Sequence, residues 1–355
     1  MPLQSLKTTN FRCLEDAELD ADPHYNLIYG ANASGKTSLL EAIAYLGRGK
    51  SFRGAATQDL IRHGSAEFVL LGKVASEPRV TTVGVRNSRD GLEVRIDGEN
   101  APGAAALAEA LPLQVVDPDV HNLIAGGPEG RRRYLDWIAF HVEHGYLENW
   151  RRFRRALKQR NAALRDNAPA RVLAGWDREF LDTARFVHES RQRIVELVQP
   201  VFEETGSSLL GSPVALDYRQ GWNRELALEE ALAASADRDR EQGATQVGPH
   251  RGDVKLALEE RLAKKLVSRG QQKLLACALI LTATELAQSE LERQLLLLLD
   301  DPAAELDEAS LERLMHRVIG LGCQVVATAL MPDKHLFPDP PALFHVEQGV
   351  LEKIA

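Results

Sequence analysis

The sequence predicts an α/β fold: a sheet carrying a phosphate loop, an antiparallel meander beside it, and an inserted, mainly helical lobe with no long coiled coil. Three observations carry that expectation. Residues Gly30 to Thr37 read G-A-N-A-S-G-K-T and satisfy the phosphate-loop pattern G-x-x-x-x-G-K-[ST] at every fixed position. Leu295 to Asp301, L-L-L-L-L-D-D, is an apolar run ending in acid, the mark of a parallel strand buried on both faces. These two segments stand near opposite ends of the chain, so one sheet must be built from both ends. The expected division is 1–119 and 241–355 for the two parts of the phosphate-loop lobe, and 120–240 for the helical lobe.

Along the chain, residues 1–30 read as two strands in all leading into the loop, with His24 to Tyr29 as the β-type run directly before it. Gly30, Ala31, Asn32, Ala33, Ser34 and Gly35 form that loop, and a helix-forming segment starts at Lys36. Backbone N–H groups and the positive helix end then face a polyphosphate. Lys36 would reach the β- and γ-phosphates, and the Thr37 hydroxyl would ligate Mg²⁺. This chemistry is ATP or GTP binding. Glu67–Ala75, Val80–Arg86 and Leu92–Asp97 are β-rich runs parted by Ser76-Glu77-Pro78 and by the N-S-R-D-G turn at 87–91, which predicts a meander. Leu113–Val116 is a strand before Asp117-Pro118-Asp119.

The segment from about Val120 to Ala236 is largely helical, with a break expected at Gly206 to Pro213, and β-type sequence returns near Asp253. Ser268, Gly270 and Gln271 open a helix running to about Gln288, so hydroxyl and N–H donors gather at a dipole's positive end as a second anion site. After the leucine strand, Asp300 would hold Mg²⁺, directly or through water, and Asp301 would lie beside the γ-phosphate. A helix (Glu308 to Ile319), a strand (Cys323 to Ala329) and an edge hairpin (Ala342–Glu347, Val350–Lys353) around Gln348-Gly349 complete the chain.

At 355 residues and 44% hydrophobic content, the chain is expected to form about two domains. No uninterrupted apolar run is long enough for a membrane span, and M-P-L-Q-S-L-K-T lacks a signal-peptide core. Cys13, Cys277 and Cys323 show no C-x-x-C spacing, and the last two read as buried, reduced thiols. A cytoplasmic protein is expected. The net charge of −8 conceals a basic segment, Arg131 to Arg165, with ten Lys or Arg against three acids. Trp150, Phe153 and Leu157 fall on one helical stripe and Arg151, Arg154, Arg155 and Lys158 on another, as an apolar core face and a candidate DNA-phosphate face would.

The order S-x-G-Q helix, leucine strand, D-D, then Ala304-Glu305-Leu306-Asp307 resembles the ABC-type ATPases. In these the signature helix of one subunit closes over the γ-phosphate held by another. Leu6 to Leu14 (L-K-T-T-N-F-R-C-L) is similar to the opening strand of the RecF, RecN and SMC group. Gly49 to Arg53 (G-K-S-F-R), Gly127 to Trp137, Lys158 to Asn161 (K-Q-R-N), Gly248 to Arg251 (G-P-H-R) and G-Q-Q-K-L look like its RecF family. The resemblance spans residue 6 to about 330. It implies ATP and Mg²⁺ as cofactors and an ATP-dependent homodimer in which Ser268, Gly270 and Gln271 meet the partner's nucleotide. It also implies binding to DNA (single-stranded, duplex or their junction), a place in recombinational repair, replication and the SOS response, and recombinase loading at gaps with RecR and RecO.

Two departures bear on rate. Asp301 stands where a catalytic Glu is usual, and Ala329 follows Thr328 where a switch His is usual. Both weaken positioning of the attacking water, so a weak ATPase is expected, and the resemblance implies that it is DNA-dependent. Two other readings compete: the nucleotide-binding subunit of an ABC transporter, which lacks the N-F-R opening, and a small-molecule P-loop kinase, which leaves the signature helix unexplained. His250 and Arg251 could serve the site or hold a turn.

Overall fold

Tyr25–Tyr29 lies between strands drawn from the far end of the chain. Its sheet runs in the order Val350–Lys353, Ala342–Glu347, Tyr25–Tyr29, Gln324–Ala329, Leu296–Leu299, Leu113–Val116. All neighbours are parallel except the terminal hairpin. The leucines at 296–299 are fully buried, as a strand covered on both faces requires. The computed structural model describes residues 3–76, 79–259, 261–332 and 336–354. They divide into two units, Met1–Val120 with Glu292–Ala355, and His121–Leu291.

In the first unit an antiparallel sheet joins Leu14–Asp20, Leu3–Phe11, Glu67–Ser76, Arg79–Ser88, Gly91–Ile96 and Glu99–Asn100, in that order. The opening thus holds three strands where two were expected. Asn10 and Arg12 adopt left-handed φ of 56° and 52°, and the chain reverses there to pair Phe11 with Leu14. Of the expected Ser76–Pro78 turn, Glu77 and Pro78 lie outside the described residues. The buried face of this sheet packs on the helix Lys36–Arg48. A Cβ on Gly72 would come within 2.2 Å of Leu46 Cδ2, so this close approach needs glycine. Phe11, Tyr45 and Phe68 meet edge to face across it, with centroids 4.9 to 6.2 Å apart.

The second unit contains the helices Pro128–Val142, Tyr146–Arg165, Ala170–Leu210 and Arg269–Leu291, and a three-stranded sheet of Val214–Arg219, Asp253–Leu258 and Arg261–Leu262. Two sequence expectations are corrected here. The boundary at 240 moves to 291, because Arg269–Leu291 buries every residue from Lys273 to Thr284 within this unit. The break expected at Gly206 to Pro213 narrows to its second half: the helix runs on to Leu210, and Gly211, with φ of 68°, caps it. Gly206 instead lets Val214 approach: a Cβ there would meet Val214 Cγ2 at 2.5 Å. By length and composition alone Arg269–Leu291 could cross a membrane, but every residue from Lys273 to Thr284 is buried. Here it is a core helix.

Buried cations organise this unit. Arg160 donates to Asp177 (2.7 Å), Asp239 (2.7 Å) and the Thr245 hydroxyl (2.8 Å), and Asn161 accepts from Thr245 N and Oγ1. Arg191 forks onto Asp136 and donates to the Pro249 carbonyl, while Arg131 forks onto Asp253. The segments 127–137, 158–161 and 248–251, which sequence resemblance singles out separately, therefore meet in one hydrogen-bonded core. His250 holds a turn: its Nε2 donates to the Thr245 carbonyl at 3.0 Å, and its ring lies beside those of Phe153 and Phe180. Arg251 donates to the Gln246 side chain at 2.8 Å.

Burial pushes the His250 imidazole down to about 4, with Arg251 and Arg132 adding to the shift and the Thr245 bond opposing it. The unfolded state then binds the proton first as pH falls through ~6.5, so stability is lost between about pH 6.5 and 4. The His250 share approaches ~3 kcal/mol at pH 4. Urea unfolding followed across that range should show a shallower acid loss for His250→Gln than for the parent.

Candidate functional site

The phosphate loop leaves the sheet at Gly30, one residue past Tyr29, and enters the helix at Lys36. Gly30, Ala33 and Gly35 have φ of 155°, 63° and 119°, the left-handed sequence that turns successive N–H groups to one side. The Lys36 ammonium donates to the Gly30 and Ala31 carbonyls at 2.7 and 2.8 Å, across the loop it serves. Partial burial lowers its pKa, and Asp301 and Asp300 oppose that shift.

Register brings the acids to this loop. Leu299 pairs with Ala327 and Val116, and Thr328 with Ile28, so Asp300, Thr328 and the start of the loop share one sheet edge. The Thr37 and Thr328 hydroxyls donate to the same carboxylate oxygen, Asp300 Oδ1, at 3.1 and 2.8 Å. That leaves Oδ2 open among the described residues. The Asp300 carboxyl is raised by burial, while the two hydroxyls and the Arg53 charge pull it back. Asp301 adopts φ of 48°, and its N–H donates to Thr328 Oγ1 at 2.9 Å. Asp117, at the end of the neighbouring strand, is pushed up to about 6 by burial, with the Asp119 and Asp300 charges adding to it and the Asp119 backbone bond and the Arg48 charge opposing it.

A hydroxyl and a buried carboxylate with one open oxygen are hard donors suited to Mg²⁺. No group of three His, Cys, Asp or Glu among the described residues could enclose a metal alone. The donor set therefore fits an ion shared with phosphate oxygens. Thr328 was not foreseen as a site residue; its only signal was its position before Ala329, at the end of the adjacent strand.

The N-F-R and K-S-F-R segments meet beneath the loop. Glu41, fully buried on the helix Lys36–Arg48, accepts from the Arg12 guanidinium and from the Ser51 hydroxyl. This pins the helix that the loop feeds.

Ser268, Gly270 and Gln271 belong to the second unit. Gln271 N donates to Ser268 Oγ at 3.3 Å, and Ser268 N donates to Gln271 Oε1 at 2.9 Å. The signature is thus a reciprocal cap on its own helix. In the same unit the basic segment sorts itself. Arg131, Arg133, Arg152 and Arg160 are taken by carboxylates, and Arg132 donates to the Gly252 carbonyl. Arg151, Arg154, Arg155, Lys158 and Arg165 are exposed and have no carboxylate partner among the described residues. The last four line an open concavity of ≈ 700 Å³. Phe153 is buried and Leu157 packs on the same cluster, so the apolar stripe is core.

Comparison with known proteins agrees over nearly the whole length. Residues 2–339 match the family described as RecF/RecN/SMC N terminal domain. The chain is 40% identical to the DNA replication and repair protein RecF of Pseudomonas entomophila (strain L48), over 98% of this chain and 97% of that protein. It is 41% identical to the RecF of Azotobacter vinelandii, over 98% of each. The solved structure of a recombination mediator protein RecF with ATP shares the fold at a TM-score of 0.88 and 24% identity, covering 100% of this chain and 98% of that one. An Smc head domain from Pyrococcus furiosus matches at a TM-score of 0.63 and 16% identity, covering 100% and 96%.

Arg12→Ala would leave the Glu41 charge buried and without its cation, at a cost of about 3–5 kcal/mol. The midpoint of urea unfolding should fall accordingly, and Glu41→Gln in the same protein should recover most of the loss.

Proposed function

The chain belongs to the RecF/RecN/SMC N terminal domain family, as one of its RecF proteins, and from that premise we propose an ATP-dependent DNA-binding protein of recombinational repair and replication. The observation that carries the nucleotide part is the shared Asp300 oxygen, which holds the Thr37 hydroxyl and the strand-end acid together behind a loop of left-handed residues. Mg²⁺, when bound, would supply positive charge against that of the phosphates. Thr37 and Asp300 Oδ2 would hold it, while Lys36 and the loop N–H groups bind the β- and γ-phosphates. The transporter-subunit reading falls away, since relatives matched over 98% of this chain are RecF proteins.

DNA is proposed to lie along the exposed cations Arg151, Arg154, Arg155 and Lys158, read by backbone charge rather than base edges. Support comes from the way the other arginines are consumed internally, leaving these on one exposed face. Single strand, duplex and junction all present the same phosphates. ATP is proposed to drive a homodimer through Ser268, Gly270 and Gln271 of one subunit and the nucleotide of the other. Hydrolysis is proposed to be slow, because Asp301 is short and its backbone is held by Thr328. A cytoplasmic setting and RecO- and RecR-type partners, named for the RecFOR pathway of the matched structure, complete the reading.

Lys36→Ala removes the charge facing the phosphates; calorimetric titration should show ATP affinity lost or severely weakened in a folded protein. Unchanged affinity would refute the nucleotide site. Reversing Arg151, Arg154 and Arg155 to Glu should weaken DNA binding across sequences and flatten its salt dependence, since each lost phosphate contact removes about 0.9 from the log–log slope. A parent-like slope would place the contact surface elsewhere. Ser268→Arg should bind ATP as a monomer but fail to dimerise in sedimentation with a slowly hydrolysed analogue. Dimers of that variant would leave the signature as a helix cap alone.

A further inference from the structure

The phosphate-loop motif accounts for residues 30–37 but not for what holds the middle of the loop. The strand fixes one end and the helix the other. Between them, Ser34 is anchored by the other end of the chain: Gly349 N–H donates to the Ser34 carbonyl at 2.8 Å. Gly349 sits in the two-residue turn of the hairpin Ala342–Glu347 and Val350–Lys353, with Gln348 at φ 48° and Gly349 at φ 82°. Both angles are those of the tight hairpin turn that matches strand twist.

Contacts around the turn leave little slack. The strand Ala342–Glu347 runs parallel to Tyr25–Tyr29, with His345 opposite Tyr29, so Val346 comes level with Gly30. A Cβ on Gly30 would lie 2.3 Å from the Val346 carbonyl oxygen. A Cβ on Gly35 would meet Cys13 Sγ at 3.1 Å, Val346 Cγ1 at 3.3 Å and Gly349 Cα at 3.5 Å. On Gly349 itself, a Cβ would lie 2.3 Å from the Cys13 carbonyl oxygen. Three glycines from two distant segments are thus required by one close-packed junction.

We infer that the Gln348–Gly349 turn is a positioning element of the nucleotide site, setting the orientation of the Ser34–Gly35 peptide through the Gly349 hydrogen bond. The inference rests on the nucleotide reading given above. In a trans peptide the carbonyl and the following N–H point to opposite sides. Holding the Ser34 carbonyl against the hairpin turns the Gly35 N–H away from it. The hairpin side is filled by Val346 and Gly349, so a phosphate can approach only from the far side, where that N–H points. Without the bond, the peptide can rotate and present a carbonyl oxygen to the anion instead. The Ser34 hydroxyl, buried and without a partner among the described residues, belongs to the same residue.

The test removes the donor without adding an atom: a semisynthetic full chain carries glycolic acid in place of Gly349, beside the same ligation product with glycine. ATP affinity should fall about five- to tenfold, the worth of one hydrogen bond. Hydrogen exchange should quicken in the 30–37 peptide and stay unchanged elsewhere, and the unfolding midpoint should drop by no more than about 4 °C. Gly349→Ala, which also drives a Cβ into the Cys13 carbonyl, should lose more affinity. Parent-like ATP affinity in the glycolate protein, with Lys36→Ala having lost it, overturns the inference and leaves the site reading standing. Retained binding in Lys36→Ala overturns both.

Discussion

The Thr328 hydroxyl, almost wholly buried, donates to Asp300 Oδ1 and accepts from Asp301 N–H, and the geometry of the nucleotide site follows from that junction. A β-branched side chain has few χ1 choices, so the strand's register decides where this hydroxyl points. A slip of one residue would turn it to the opposite face of the sheet and free both acids. The register is in turn held by apolar strands covered on both sides, which cannot slide without exposing leucine and valine.

Each support around the loop joins segments distant in sequence. Arg12 and Ser51 converge on Glu41, and Gly349 reaches Ser34. The second unit uses the same device more heavily, with Arg131, Arg160 and Arg191 each buried against carboxylates. Buried ion pairs return little net stability, because desolvation offsets the Coulomb gain. Each does penalise any arrangement that would strand its charge. The result bears on function: arginines consumed in the core leave a smaller, better-defined set of cations on the surface.

Charge illustrates how far composition can mislead. A chain of net charge −8 is poorly suited to nucleic acid on that figure alone. Counting the basic segment corrects the sign but overstates the available cations, since Arg131, Arg152 and Arg160 are already paired. The four residues chosen by helical spacing, Arg151, Arg154, Arg155 and Lys158, are among those left exposed, because the period that buries Phe153 and Ala156 turns them outward.

By itself the sequence determined what short-range chemistry can encode. The phosphate loop, the leucine strand, the Asp300 end and the closing hairpin are legible because glycine placement, apolar runs and turn residues act within a few positions of themselves. The family was legible for the same reason, motif by motif. Tertiary structure alone decided which of those motifs meet. The strand Val214–Arg219 is not legible because its pairing partner lies at Asp253–Leu258, and the helix continues through Gly206 to Leu210 because that glycine admits Val214. His250 became a turn residue, and Thr328 and Gly349 became parts of the site, through contacts with residues far along the chain. Such contacts depend on register and close packing between segments, and neither leaves a periodic trace in the residues that make them.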